Sequence, residues 1–163
     1  MRRSVPILAL VVLALGLVAS PPALAGSVLP TGFRAQSISF VSAQDGWILG
    51  VGPCGQTTCT TVLGTTDGGG VWGVVGKINA PLTYDKIGGV TGIRMADDLH
   101  GWAFGPSLWS TADGGHTWHK HAIPGGGRMV PVLAADADGV YALVSTCKLN
   151  ESPGNCAPAT LWK

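Results

Sequence analysis

Charge is scarce in this chain. Only 12% of its 163 residues are Asp, Glu, Lys or Arg, and Glu151 is the sole glutamate. A glycosidase working through two carboxylates would therefore have to take nearly all of them from aspartate. Clustered basic charge is missing too, since Arg34, Lys77, Lys86, Arg94, Lys120, Arg128, Lys148 and Lys163 are scattered. A nucleic-acid binder needs a basic stripe, so that class is set aside. No apolar run is long enough to span a bilayer: the uncharged stretch Ile7 to Ala19 falls short of the roughly 20 residues required. Downstream of it no segment shows the apolar period of an amphipathic helix.

What is present begins with export. Met1-Arg2-Arg3, the apolar run, Ser20-Pro21-Pro22 and Ala23-Leu24-Ala25 form the three parts of a secretory signal peptide. Residues 1–25 are expected to be removed, and residues 26–35 then form the amino-terminal segment. Cleavage takes away Arg2 and Arg3 and leaves the mature chain close to neutral. No cysteine adjoins the site, so nothing supports a lipid anchor. The expected location is secreted, or the cell envelope or periplasm. There the four cysteines can pair locally, Cys54 with Cys59 and Cys147 with Cys156. The competing reading, one metal held by four thiolates, suffers because the two spacings differ and neither is C-x2-C.

The glycines are arranged rather than merely abundant. Gly64-Thr65-Thr66-Asp67-Gly68-Gly69-Gly70-Val71-Trp72 has a twin in Ser110-Thr111-Ala112-Asp113-Gly114-Gly115-His116-Thr117-Trp118. Their separation lies within the period of about 20–50 residues typical of architectures that repeat one supersecondary unit. Upstream, Ile38 to Gly50 aligns with Ile93 to Gly105, with Gly-Trp at the same place in both. Val132 to Val144 is a weaker third copy, with Gly139-Val140-Tyr141 where the others have Gly-Trp. Turn residues cut each unit into short strands. The first has about 36–41, 46–51, 60–65 and 71–78; the second has about 90–95, 101–105, 107–111 and 117–123. All six tryptophans fall in step: Trp47 with Trp102, Trp72 with Trp118, Trp109 with Trp162. That is the pattern of a repeated core rather than a carbohydrate platform.

The expected fold is all-β: a β-propeller of four-stranded antiparallel blades, incomplete, with about two and a half blades present. Residues 36–78 form blade 1, 79–88 a linker, 89–123 blade 2, 124–128 a linker and 129–163 a partial blade 3. The chain stops at Leu161-Trp162-Lys163, aligned with Leu108-Trp109-Ser110, just before a third turn of this type would begin. A propeller closes with about four to eight blades, so an amino-terminal part of a larger protein is expected.

Both turns resemble the Asp-box, or BNR repeat: Ser or Thr, any, Asp, any, Gly, any, Thr, Trp. Thr111, Asp113, Gly115, Thr117 and Trp118 match every fixed position. Thr65, Asp67, Gly69 and Trp72 match all but one, where Val71 replaces Thr. The units look most like propellers of the photosystem II assembly and stability factor family, and more distantly like sialidases, sortilin-type receptors and xyloglucanases. The resemblance implies that each Asp-box is the peripheral hairpin between third and fourth strands of a blade, built for structure and not for catalysis.

Candidate chemistry is thin. Gly32-Phe33-Arg34-Ala35 is distantly similar to the early arginine motif of sialidases, but Ala35-Gln36 stands where Ile-Pro should follow. An aspartate pair could come from Asp45, Asp85, Asp97, Asp98, Asp136 or Asp138, yet most lie in expected turns, where Asp is favoured anyway. Asp136-Ala137-Asp138-Gly139 lacks the remaining ligands of a calcium loop. His116, His119 and His121 would need another ligand for zinc. Tyr84 and Gly125-Gly126-Gly127 read as loop residues. No catalytic residue, cofactor or metal is assigned. The expected function is a non-catalytic scaffold for a protein or glycan, with no nucleic acid and no membrane span in the mature chain. The alternative is part of a secreted glycoside hydrolase, sialidase- or xyloglucanase-like, whose catalytic residues lie mostly in other blades.

Overall fold

The computed structural model describes residues 29–147 and 158–163. The signal segment, Glu151 and Cys156 lie outside the described residues. Three antiparallel sheets follow one another along the chain. The first is β1 (Arg34–Phe40), β2 (Gly46–Cys54), β3 (Thr57–Thr65) and β4 (Gly73–Ile78), paired in that order. The second is β5 (Gly92–Met95), β6 (Gly101–Phe104), β7 (Leu108–Thr111) and β8 (His119–His121), again in order. The third joins β9 (Met129–Asp136), β10 (Gly139–Ser145) and β11 (Thr160–Trp162), with β10 in the middle. A 3-10 turn, Pro124–Gly126, lies in the second linker. The fold is an all-β, incomplete propeller of meandering blades. Among the described residues no helix is long and apolar enough to cross a membrane, which does not bear on β-barrels.

Alternation along the strands supplies a face to each neighbour, because successive side chains point to opposite sides of a sheet. Trp47, Leu49 and Val62 of the first blade meet Ile93, Met95 and Trp109 of the second in one cluster. Phe104 and Leu108, with the half-buried Trp102, meet Val130, Leu133 and Val144 of the third in another. Burying each such side chain contributes about 1.5–3 kcal/mol, so these two seams dominate cohesion between blades. Polar clasps fix their alignment. The Ser37 and Ser39 hydroxyls of β1 accept hydrogen bonds from the Ile93 and Met95 N–H groups of β5, at 3.2 and 3.0 Å. Where β4 passes the second blade, a Cβ added to Gly76 would sit 2.0 Å from the Gly115 carbonyl oxygen, so backbone meets backbone there.

The Cys54–Cys59 disulfide is formed, across the β2–β3 hairpin. The expected Cys147–Cys156 pair cannot be followed, since Cys156 is outside the described residues; no described cysteine is a free thiol. The third copy of the Gly-Trp pattern does not keep its face. Trp47 and Trp102 point to the following blade, whereas Val140 packs back into the seam with Trp102, and Tyr141 is exposed. The cause is a bulge in β9. Met129 pairs with Ser145 and Val132 with Leu143, so two residues of β9, Val130 and Pro131, oppose one of β10. One inserted residue reverses the facing of everything beyond it.

Candidate functional site

The two aspartate turns join β3 to β4 and β7 to β8. In the first, the Thr65 hydroxyl donates to Asp67 Oδ1 at 2.7 Å and accepts from the Gly69 N–H at 3.0 Å. The same carboxylate oxygen accepts from the Val71 N–H at 3.0 Å. In the second, Thr111 donates to Asp113 Oδ1 at 2.8 Å and accepts from the Gly115 N–H at 2.9 Å. Asp113 Oδ1 also accepts from the Thr117 N–H at 2.9 Å, and Oδ2 from the Thr117 hydroxyl at 2.5 Å. Gly68 and Gly69, like Gly114 and Gly115, take φ between 71° and 93°, a conformation that disfavours any side chain. Trp118 Nε1 donates to the Gly115 carbonyl at 2.9 Å. Trp47, from the preceding blade, donates to the Gly114 carbonyl at 2.8 Å.

These donors hold the carboxylates in their charged form. The Thr117 hydroxyl and then its N–H press Asp113 far below the usual carboxylate range. The Val71 N–H and then the Thr65 hydroxyl lower Asp67. The structure thus brings Thr111, Asp113, Gly115, Thr117 and Trp118 into one bonded turn, and Thr65, Asp67 and Gly69 into another. Trp72 lies against Gly69 of its own turn, as Trp118 lies against Gly115, and is buried beside Ile48 and Leu63.

The other sequence candidates are dispersed. Asp97 accepts from the Leu99 and His100 N–H groups and from the His100 ring within its own turn. Asp136 does the same for Asp138 and Gly139, and Asp45 accepts from the Ser42 hydroxyl. His116 Nδ1 lies 2.6 Å from the Asp113 carbonyl oxygen, and His121 Nε2 lies 2.7 Å from the Ser110 hydroxyl. His119 is exposed beside them on β8. Among the described residues, no three His, Cys, Asp or Glu side chains gather as metal ligands would. Arg34 opens β1, opposite Val51.

A cleft of about 730 Å³ lies on the face of the array where linkers cross between blades, opposite the face of the aspartate turns. Asp85, Ile87 and Gly88 of the first linker form one wall, and Ile123 at the end of the second blade forms another with Gly127 and Arg128 of the second linker. Pro106, Ser107, Lys120 and His121 of the second blade complete it, with Cys147 at its edge. Ser107 ties the first linker down, its hydroxyl donating to the Gly88 and Gly89 carbonyls at 2.9 Å each. Lys120 Nζ stands 5.9 Å from the centre of the Trp109 ring, a cation–π distance that keeps its charge over the cleft wall. The sequence marked these linkers as loops and passed over their chemistry. Their signal was the combination of Ile87, Ile123, Lys120 and Arg128 at the ends of two successive connections.

Comparison with known proteins adds little that is specific. No protein-family model and no curated protein matches the chain. A solved structure of YCF48 bound to D1 peptide is similar over 69% of this chain and 33% of that one, with 23% sequence identity and a TM-score of 0.42. This chain thus spans about a third of the length of that one.

Proposed function

We propose that the chain is an exported, non-catalytic scaffold of the Asp-box type that binds a segment of a partner protein in its linker-side cleft. The lining of that cleft carries the reading. Two cations, Lys120 and Arg128, stand beside Ile87, Ile123 and Pro106, and among the described residues Asp85 is the one carboxylate in the wall. Apolar walls with a few placed charges suit recognition of a side chain and its neighbouring anion. Hydrolysis of a glycosidic bond needs two carboxylates across the bond. The aspartate turns serve as architecture in this reading, because one oxygen of each carboxylate accepts two donors from its own turn. Export is supported by the disulfide, which persists in oxidising compartments.

Selection of displayed random peptides on the immobilised mature chain tests this. The expected winners pair an acidic residue with apolar neighbours, and lose about tenfold or more in affinity to Arg128→Glu and Ile123→Asp variants. Hydrolysis of a panel of fluorogenic glycosides, lost in Asp85→Asn, would overturn the proposal. So would selected peptides or glycans that bind every variant equally.

A further inference from the structure

The Cys54–Cys59 bond has a cation on one of its two sulfurs only. It lies at the end of the β2–β3 hairpin, where Cys54 pairs with Thr57 and Gly52 with Cys59. Both cysteines are half-buried rather than enclosed. On β4, Lys77 stands opposite Thr61. Side chains alternate along a strand, so Lys77, Thr61, Cys59 and Cys54 share one face of the sheet. From there Lys77 Nζ donates to Cys54 Sγ at 3.5 Å. Among the described residues no side chain makes such a contact with the Cys59 sulfur. The one ion pair among them joins His100 to Asp97, so the Lys77 charge is not committed to a carboxylate.

We propose that this disulfide is a thiol-exchange site, opened by an external dithiol that attacks Cys59 and expels Cys54. The incoming thiolate bonds to Cys59 Sγ as the bond between the two cysteines breaks. The electron pair of that bond leaves on Cys54, as a thiolate beside the Lys77 ammonium, and no proton moves in this step. The second thiolate of the reagent then displaces the first from Cys59. The dithiol is thereby oxidised to its disulfide by two electrons, and both protein sulfurs are reduced. A stabilised leaving thiolate departs faster, and a neighbouring cation supplies the stabilisation. Opening spares the blade, because the β2–β3 ladder runs on to Gly46 opposite Thr65 and Leu49 and Val62 stay buried in the seam. The same ladder keeps the two sulfurs near each other, so the bond can re-form. None of this depends on the cleft.

Reduction of the mature chain by dithiothreitol at neutral pH, with mass mapping of the alkylated cysteines, reads the result. Lys77→Gln should slow opening of this bond about twofold to fivefold, the range that an exposed charge contact allows, and Lys77→Arg should keep the wild-type rate. The direction of attack is read from single thiols. Cys54, left unpaired by Cys59→Ser, should react with iodoacetamide faster than Cys59 left unpaired by Cys54→Ser. Adding Lys77→Gln should remove that lead. Far-ultraviolet circular dichroism should be unchanged in the reduced chain and in every variant; if a serine variant fails to fold, the rates of the three chains that differ at Lys77 decide. Equal rates in wild type and Lys77→Gln would overturn the proposal, as would Lys77→Arg opening as slowly as Lys77→Gln. A faster Cys59 thiol would overturn the direction of attack. A reduced wild-type chain that unfolds would make the bond a structural staple and sink the exchange site.

Discussion

The turn after β3 and the turn after β7 share a backbone path, two glycines at positive φ and a threonine–aspartate pair, yet they are held to different degrees. Asp67 receives one hydroxyl and one N–H within the turn, and Val71 offers its carboxylate nothing further. Asp113 receives a second hydroxyl, from Thr117, and the blade before it supplies a further donor, Trp47, to the Gly114 carbonyl. A motif read as one unit is therefore two objects: a turn secured by itself, and a turn secured by itself and by its neighbour.

The widest test of that difference is Trp47→Ala. It removes a buried aromatic and the donor to Gly114, and should cost about 3–5 kcal/mol in denaturant unfolding. Trp102→Ala should cost less, because Trp102 is half-buried and no hydrogen bond from its ring is seen. Equal losses would break the contrast between the blades. Next, Asp113→Ala should destabilise by about 1–3 kcal/mol through lost charged acceptors, and Asp67→Ala by less. Both carboxylates have folded-state values below the unfolded one, so their stabilisation is present above about pH 4 and fades as pH falls through the folded value. Asp113 lies further down, so the second turn should hold to lower pH. Thermal melts between about pH 2 and 6 should then show both variants flattening the acid limb just below about pH 4, and Asp113→Ala alone flattening it further down. The reverse order would refute the assignment. Smallest is Val71→Thr, which restores the missing hydroxyl and should raise the melting temperature slightly, with Thr117→Val lowering it. No change in either would mean that the hydroxyl is not what separates the two turns.

Much of the first two blades was legible in the sequence because turn chemistry there is unambiguous. Gly-Trp sets the start of β2 and β6, and Asp-Gly-Gly sets the end of β3 and β7. The fourth strands begin two residues later than expected, at Gly73 and His119, since Val71, Trp72, Thr117 and Trp118 belong to the turns. Facing in the third blade was not legible from pattern matching, because Gly139-Val140-Tyr141 resembles Gly-Trp in type but not in parity. Pro131 was the available warning: a proline inside a strand marks an edge or a bulge, and here it sits in the bulge. The cleft stayed hidden for another reason. Its walls come from two linkers and a hairpin, which only the stacking of the sheets brings together.

Gly76 sets a direction on the array. The second blade's turn presses its Gly115 carbonyl against bare backbone, and a methyl group there would overlap it. At the matching place in the second blade, opposite Leu108 as Gly76 is opposite Val62, the chain carries His121. A tandem duplication of the second blade alone would put that imidazole under the next copy's turn and force the two sheets apart. Blades of this chain therefore cannot be permuted like beads on a string: each accepts a particular successor, and the order in which they were joined is written into a single missing side chain.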